Sequence, residues 1–129
     1  MKKIMVCFAA GCLGALANSL AAWAAGSYGI TGFFQVELAP ALSPAWIYPR
    51  IVWGGLWGLL FLLPLLNSRP FAKGGLISLA PTAVQLLVIF PQNGKALFGL
   101  ELGLLTPVFV LLFNAVWGWV TAYAIRLAK

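Results

Sequence analysis

A chain of 129 residues that is 63% hydrophobic and 8% charged is not an ordinary water-soluble domain. Soluble domains carry roughly 25% charged residues, and a chain this short hides only part of its surface from water. Eight basic residues against two acidic ones give a net charge of +6, but they flank apolar runs instead of clustering on one soluble face, which excludes nucleic acid as the partner.

The first apolar run is Ile4 to Ala25. Met1-Lys2-Lys3 ahead of it and Ala21-Ala22-Trp23-Ala24-Ala25 at its end resemble a signal peptide. The run is also one quarter of an internal duplication, described below, so it is expected to stay as a membrane span. Gly11, Gly14, Asn18, Ala21 and Ala25 form a stripe of small and polar residues along it. Cys7 and Cys12 lie about 140° apart around a helix and match no redox or metal spacing. They are expected to be packing residues.

A long apolar connection follows, from Gly26 to Pro44, carrying Glu37. Phe33, Phe34, Val36 and Leu38 disfavour water, so an interfacial helix is expected, with a re-entrant segment as the alternative. The second run is Ile47 to Leu66. Arg50, Gly54, Trp57, Gly58 and Phe61 share one face of it, and Gly54 and Gly58 form a GxxxG pattern that lets a neighbouring backbone approach closely. Arg50 is the sharpest single residue, because a charge within a span is costly and is read as functional by default. Three readings stand for it: snorkelling to lipid phosphates, pairing with Glu37 or Glu101, or an anion site.

The polar link from Asn67 to Lys73 leads to a third run, Gly75 to Phe90, which is short and holds Pro81, so it is expected either to tilt little or to be continued by its flanks. Ser78, Thr82 and Gln85 make its polar stripe. Pro81 frees the carbonyl of Ile77, which Ser78 or Thr82 is expected to meet, with a ligand as the alternative. A second apolar connection, Pro91 to Thr106, carries Glu101. The fourth run is Pro107 to Leu127, with Asn114, Gly118 and Thr121 on one face. The four stripes are expected to face inward and the leucine-rich faces to meet lipid. Trp23, Tyr28, Trp46 and Tyr48 mark one interface and Trp119 and Tyr123 approach the other. Trp53, Trp57 and Trp117 are read as packing residues.

The runs repeat in pairs. Gly11-Cys12-Leu13-Gly14-Ala15-Leu16-Ala17-Asn18-Ser19 returns as Gly74-Gly75-Leu76-Ile77-Ser78-Leu79-Ala80-Pro81-Thr82. Val36-Glu37-Leu38-Ala39 returns as Leu100-Glu101-Leu102-Gly103, and Arg50-Ile51-Val52-Trp53-Gly54 as Asn114-Ala115-Val116-Trp117-Gly118. The order is kept at an offset of about 63 to 64 residues. The predicted fold is therefore an all-α membrane protein: one transmembrane domain over 1–129, with four helices in two helical-hairpin repeats, about 1–67 and about 68–129. An even number of spans per unit makes the repeats parallel, related by a pseudo-twofold axis along the membrane normal. Lys2, Lys3, Arg69, Lys73, Arg126 and Lys129 fall on one side, and only Arg50 and Lys95 on the other. The positive-inside rule then puts both termini in the cytoplasm.

Two functions fit the polar positions. Asn18, Arg50, Ser78, Thr82, Gln85 and Asn114 line a polar axis or pore for a small solute or ion, with Glu37 and Glu101 at its outer mouth. Alternatively they bond one helix to another, while Gly11, Gly14, Gly54, Gly58 and Gly118 pack the bundle of a membrane accessory or scaffold subunit. Either reading expects the lipid bilayer as partner, together with a homo-oligomer or a larger membrane protein. An enzyme is not expected. The chain has no histidine, no metal-ligand cluster, no nucleophile beside a recognisable base and no phosphate loop, so neither metal nor cofactor is expected.

Leu105-Thr106-Pro107 followed by Asn114-Ala115-Val116-Trp117-Gly118 resembles the closing helices of YagU-type bacterial inner-membrane proteins. Gly11-Cys12-Leu13-Gly14-Ala15 is similar to the opening helix of the small four-helix fluoride channels. There, however, Asn18 stands where that family has arginine, and its Thr-Thr-Phe-Ser-Thr stretch is missing. What both resemblances imply is a bacterial inner membrane.

Overall fold

The structure is a computed structural model that describes residues 2–36, 40, 42–64, 68–94, 99–100 and 103–128. Every regular element among them is helical. Four helices, Lys2–Ser27, Pro44–Leu62, Pro70–Gln92 and Thr106–Leu127, are long and apolar enough to cross a membrane. The last three each carry proline in the first turn, where its missing N–H costs nothing and its fixed φ suits the helix. Ser43 caps the second span, its Oγ accepting from the Trp46 amide, as an N-cap serine does.

The third span is continued by its flanks, one of the two expected alternatives. It is 23 residues long, longer than the run from Gly75 to Phe90, because it begins at Pro70. It is also broken. Helical turns Pro70–Ile77 and Leu79–Val84 are followed by a π-helical turn, Gln85–Ile89, and a last turn, Phe90–Gln92. The break at Ser78 answers Pro81, but not as expected. The Ser78 hydroxyl donates to the Gly75 carbonyl at 2.7 Å and the Thr82 hydroxyl to the Ser78 carbonyl at 2.8 Å. Each hydroxyl has one proton, so neither meets the Ile77 carbonyl. Such back-bonding bends a helix.

The four spans alternate in direction. Gly11 packs on Gly54 and Gly58 of the second span, Gly14 on Trp117 and Thr121 of the fourth, and Gly74 on Gly118. Read along the chain, each contact pairs rising numbers with falling ones. The first span packs on both the second and the fourth, and the fourth also packs on the third. The second and third spans form no comparable interface. The bundle is thus a row of second, first, fourth and third spans, folded so that its two ends face each other across a gap. A strict twofold relating the hairpins makes the first–fourth and second–third pairings equivalent. Only the first of these is packed.

The interior is built from small and polar residues. Ala10, Ala15, Ser19, Ser78, Thr82, Thr121 and Ala122 are buried, while Leu13, Leu16, Leu20, Leu111 and Leu112 are exposed. This inverts the soluble pattern and suits a bilayer, in which lipid covers leucine and small residues let backbones meet. Cys7 is buried and Cys12 half-buried against Gly55, so both act in packing.

The two connections at the end opposite the termini meet each other. One carries a short helix, Ile30–Phe33, followed by Val36, which is buried. Gly103 of the other lies on Gln35 and Val36 with φ +150°, where a Cβ would strike the Gln35 carbonyl. Phe34 also packs on Phe109, with ring centroids 5.8 Å apart. Glu37 and Glu101, expected as an outer mouth, lie outside the described residues.

At the end carrying the termini, Lys73 is buried. Its Nζ donates to the carbonyls of Phe61 and Leu63, both at 3.0 Å. Those carbonyls end the second span, where the helix carries partial negative charge. A buried lysine thereby ties the start of the third span to the end of the second. Lys73→Met is expected to lower stability by about 1–3 kcal/mol, the cost of leaving buried acceptors unpaired. The midpoint of unfolding in a denaturing-detergent titration measures it, and an unchanged midpoint contradicts this role.

Candidate binding groove

Arg50 sits six residues into the second span, roughly 9 Å from its start at 1.5 Å per residue. Its side chain turns inward. Nε donates to Ser19 Oγ and Nη2 to Asn18 Oδ1, each at 3.0 Å. The guanidinium also lies over the Trp46 ring, 4.7 Å from its centroid, a favourable cation–π geometry. Arg50 is therefore held on the first span and does not reach out along lipid. Glu37 and Glu101, its expected carboxylate partners, lie outside the described residues.

From Arg50 a hydrogen-bond chain crosses the whole bundle. Asn18 Nδ2 donates to Asn114 Oδ1 at 3.0 Å, and Asn114 Nδ2 donates to Thr82 Oγ1 at 3.0 Å. Thr82 in turn donates to the Ser78 carbonyl. The direction is dictated by chemistry. A guanidinium has only donors, so Asn18 must offer it oxygen and has nitrogen left for Asn114. Asn114 must then accept through oxygen and give its own nitrogen to Thr82. One cation orients two amides and a hydroxyl on three other spans, and bonds aligned in this way strengthen one another in a low-dielectric interior.

Arg50, Asn18 and Asn114 border a groove of about 400 Å³ in the gap between the second and third spans. Its walls are Pro49, Trp53 and Trp57 on one side and Pro81, Val84 and Ile89 on the other. Ala15 and Trp117 help form its floor. The volume lies within the range of small-molecule sites, which are mostly apolar with a few placed polar groups. Gln85 also lines it, and its side chain makes no hydrogen bond among the described residues. It opens the π-helical turn, a local form found often at functional sites. Irregular backbone at membrane depth is tolerated where it lines a cavity, and here Gln85 and Ile89 both belong to the π turn and to the groove wall.

The structure thus brings Asn18, Arg50, Thr82, Gln85 and Asn114 together. Ser78 and Thr82 are buried behind the groove and do not border it. Trp53, read as a packing residue, is 61% exposed, whereas Trp117 is 3% exposed. The Trp117 indole donates to the carbonyls of Gly11 and Gly54, at 3.2 and 3.3 Å, joining three spans at the glycine crossing. Sequence reasoning missed this bridge, as it missed Ser19 as the Arg50 acceptor and the buried role of Lys73. The signal for Ser19 was its place opposite Arg50 in the hairpin. For Trp117 it was the bare glycine carbonyls that any close crossing leaves in need of a donor.

No family model, curated protein or solved structure matches the chain.

Proposed function

We propose that the protein is a bacterial inner-membrane protein that binds a small organic anion in the groove between its second and third spans. The observation that carries this reading is Arg50: a cation six residues into a span, turned inward, anchored by two hydrogen bonds and bordering a groove of small-molecule size. Of the five N–H donors of a guanidinium, the two bonds occupy two, and the others remain for a ligand. Gln85 and the amides of Asn18 and Asn114 add hydrogen-bonding edges. Binding leads naturally to carriage, because the third span is segmented as transporter helices are near their substrates. The positive-inside bias puts both termini in the cytoplasm and the connections at the opposite end outside.

The proposed architecture is a duplicated hairpin, and matched contacts support it. The Gly11–Gly54 crossing recurs as Gly74–Gly118, and the Arg50–Ser19 bond recurs as Asn114–Thr82. Each lies at the repeat offset. The halves differ where they meet. Asn18 bonds Asn114, but the equivalent positions are Pro81 and Arg50, which share no bond. One inter-hairpin seam closes and the other stays open as the groove.

The test is a calorimetric titration of the purified protein, in nanodiscs of zwitterionic lipid, with benzoate as a small organic anion. Saturable binding is expected, weakened at least about tenfold in Arg50→Gln, which forfeits a charge-assisted contact of roughly 1.5–3 kcal/mol. Equal heats for both proteins would falsify the proposal. A second reading, the accessory or scaffold subunit, rests on Asn18, Asn114 and Thr82 satisfying one another across spans. It expects a stoichiometric membrane partner, or a second copy, to co-purify in mild detergent while benzoate gives no Arg50-dependent heat.

A further inference from the structure

Resting on the reading of Arg50 as an anion site, we infer that the ligand is a single-chain anionic amphiphile that reaches the groove sideways from the bilayer. Its carboxylate or phosphate monoester head sits on Arg50, and its hydrocarbon tail lies along Trp53 and Trp57. Three observations point this way.

The first is the route. The second and third spans flank the groove and do not pack on each other as the other neighbours do. At that seam the groove faces whatever surrounds the bundle, and for spans in a bilayer that is lipid. A water-soluble anion has to leave water to arrive there, whereas an amphiphile is already present.

The second is the lining. Proline, valine, isoleucine and tryptophan supply most of the wall, and the polar groups gather at one level. Trp53 and Trp57 follow Arg50 by three and seven residues on the same span. They continue about one and two turns toward the end carrying the termini, the farther roughly 10 Å away at 1.5 Å per residue. Trp117 lies three residues past Asn114 in the same direction. The site is thus a cationic head position with an aromatic slot beneath it. Trp53 is also largely exposed, so its ring is available to a tail lying in the seam. A compact hydrophilic anion leaves this slot unused.

The third is charge and size. The two side-chain acceptors that hold Arg50, Ser19 Oγ and Asn18 Oδ1, are neutral, and an anionic head complements the cation in a medium where charge is expensive. A groove of about 400 Å³ is at the low end of small-molecule sites, which favours one chain over two.

The experiment uses the full chain in phosphatidylcholine nanodiscs, titrated with 9,10-dibromostearate while tryptophan fluorescence is read. Bromine quenches indoles in contact with the chain. The expected result is saturable quenching whose midpoint rises at least tenfold in Arg50→Gln and whose amplitude falls in Trp57→Phe. Stearyl alcohol, with the same tail and no charge, is expected not to compete. Val84→Trp, which fills the groove from the third span and leaves the Arg50 hydrogen bonds intact, is expected to weaken binding as well, so a folding defect in Arg50→Gln does not decide the matter. Linear quenching that is identical in all these proteins means bilayer partition alone and overturns the inference. Arg50-dependent benzoate binding that dibromostearate fails to displace also overturns it, while leaving the anion site standing. If neither compound binds through Arg50, the site and the inference fall together.

Discussion

Gly11→Val is expected to take the bundle apart. A Cβ on Gly11 would overlap the Gly54 carbonyl and press within 3.0 Å of the Gly55 and Gly58 α-carbons. All of these are backbone, so no side chain can swing away and the two helices have to separate. Separation also removes the Trp117 indole from the Gly11 and Gly54 carbonyls, leaving a buried donor and two acceptors to find other partners. Overpacking a close contact typically costs 1–3 kcal/mol, and the lost bonds add to it. A total loss above about 3 kcal/mol is expected, a large share of the stability of a small domain. In detergent the variant is expected to elute as aggregate on size exclusion and to unfold at a much lower denaturant midpoint. Gly74→Val is expected to fail to a similar degree, because it meets the Gly118 backbone in the same way. Gly32→Ala, with nothing within 4 Å of its Cβ, is the neutral control. A folded, monomeric Gly11→Val protein contradicts the close crossing.

The matched failure of Gly11 and Gly74 explains why so much of the fold was legible. A helix crossing at backbone contact demands glycine, and a duplicated crossing demands it twice at one spacing. The apolar runs, the prolines at their starts and the inward small-residue stripes carry the same kind of local signal. Periodicity identifies which face of a helix is special but not which two faces meet. The seam between the second and third spans was illegible for that reason. Four stripes suggest a common axis, whereas the structure places the first and fourth spans at the centre and leaves the other two apart.

The reason for the open seam is nevertheless written in the departures from the repeat. Asn114 is short, neutral and able both to give and to take a hydrogen bond, so it fits between Asn18 and Thr82. Arg50, its counterpart, is longer, charged and only a donor. Pro81, the counterpart of Asn18, has no polar side chain to receive it. The second seam therefore cannot copy the amide pair of the first. Arg50 turns instead to Ser19 and Asn18 within its own hairpin, and the space that a second amide pair would close remains as a groove. Positions where two copies of one module disagree in charge and hydrogen-bonding capacity are where a duplicated bundle acquires a site.

Asn18→Asp is expected to separate the two roles of the polar chain, raising stability while abolishing anion binding. The new carboxylate keeps the acceptor that Arg50 Nη2 uses and gains an ion pair, without a change in side-chain size. It loses the donor that Asn114 receives. That loss is repairable, because Asn114 can rotate its amide by half a turn and present nitrogen to Asp and oxygen to Thr82. Thr82 then donates to Asn114 in place of the Ser78 carbonyl, whose acceptor role is already filled by the Thr82 backbone amide at 3.2 Å. The whole chain reverses with no polar group stranded, so the desolvation penalty that makes one-sided removal of a buried partner so costly is avoided. The unfolding midpoint is expected to rise by the equivalent of about 1–2 kcal/mol, as for a charge-assisted bond replacing a neutral one. The same carboxylate neutralises Arg50, and a negative ligand now meets a like charge at the head position. Affinity for benzoate and for dibromostearate is expected to fall about 100-fold, which is about 2.7 kcal/mol. Asn114→Leu, by contrast, leaves the Asn18 amide with no partner on the fourth span and is expected to destabilise the bundle by about 1–3 kcal/mol, while Arg50 retains its charge. Opposite signs of stability and binding in Asn18→Asp distinguish a ligand site from a hydrogen-bonded seam, since a seam alone gives the first effect without the second.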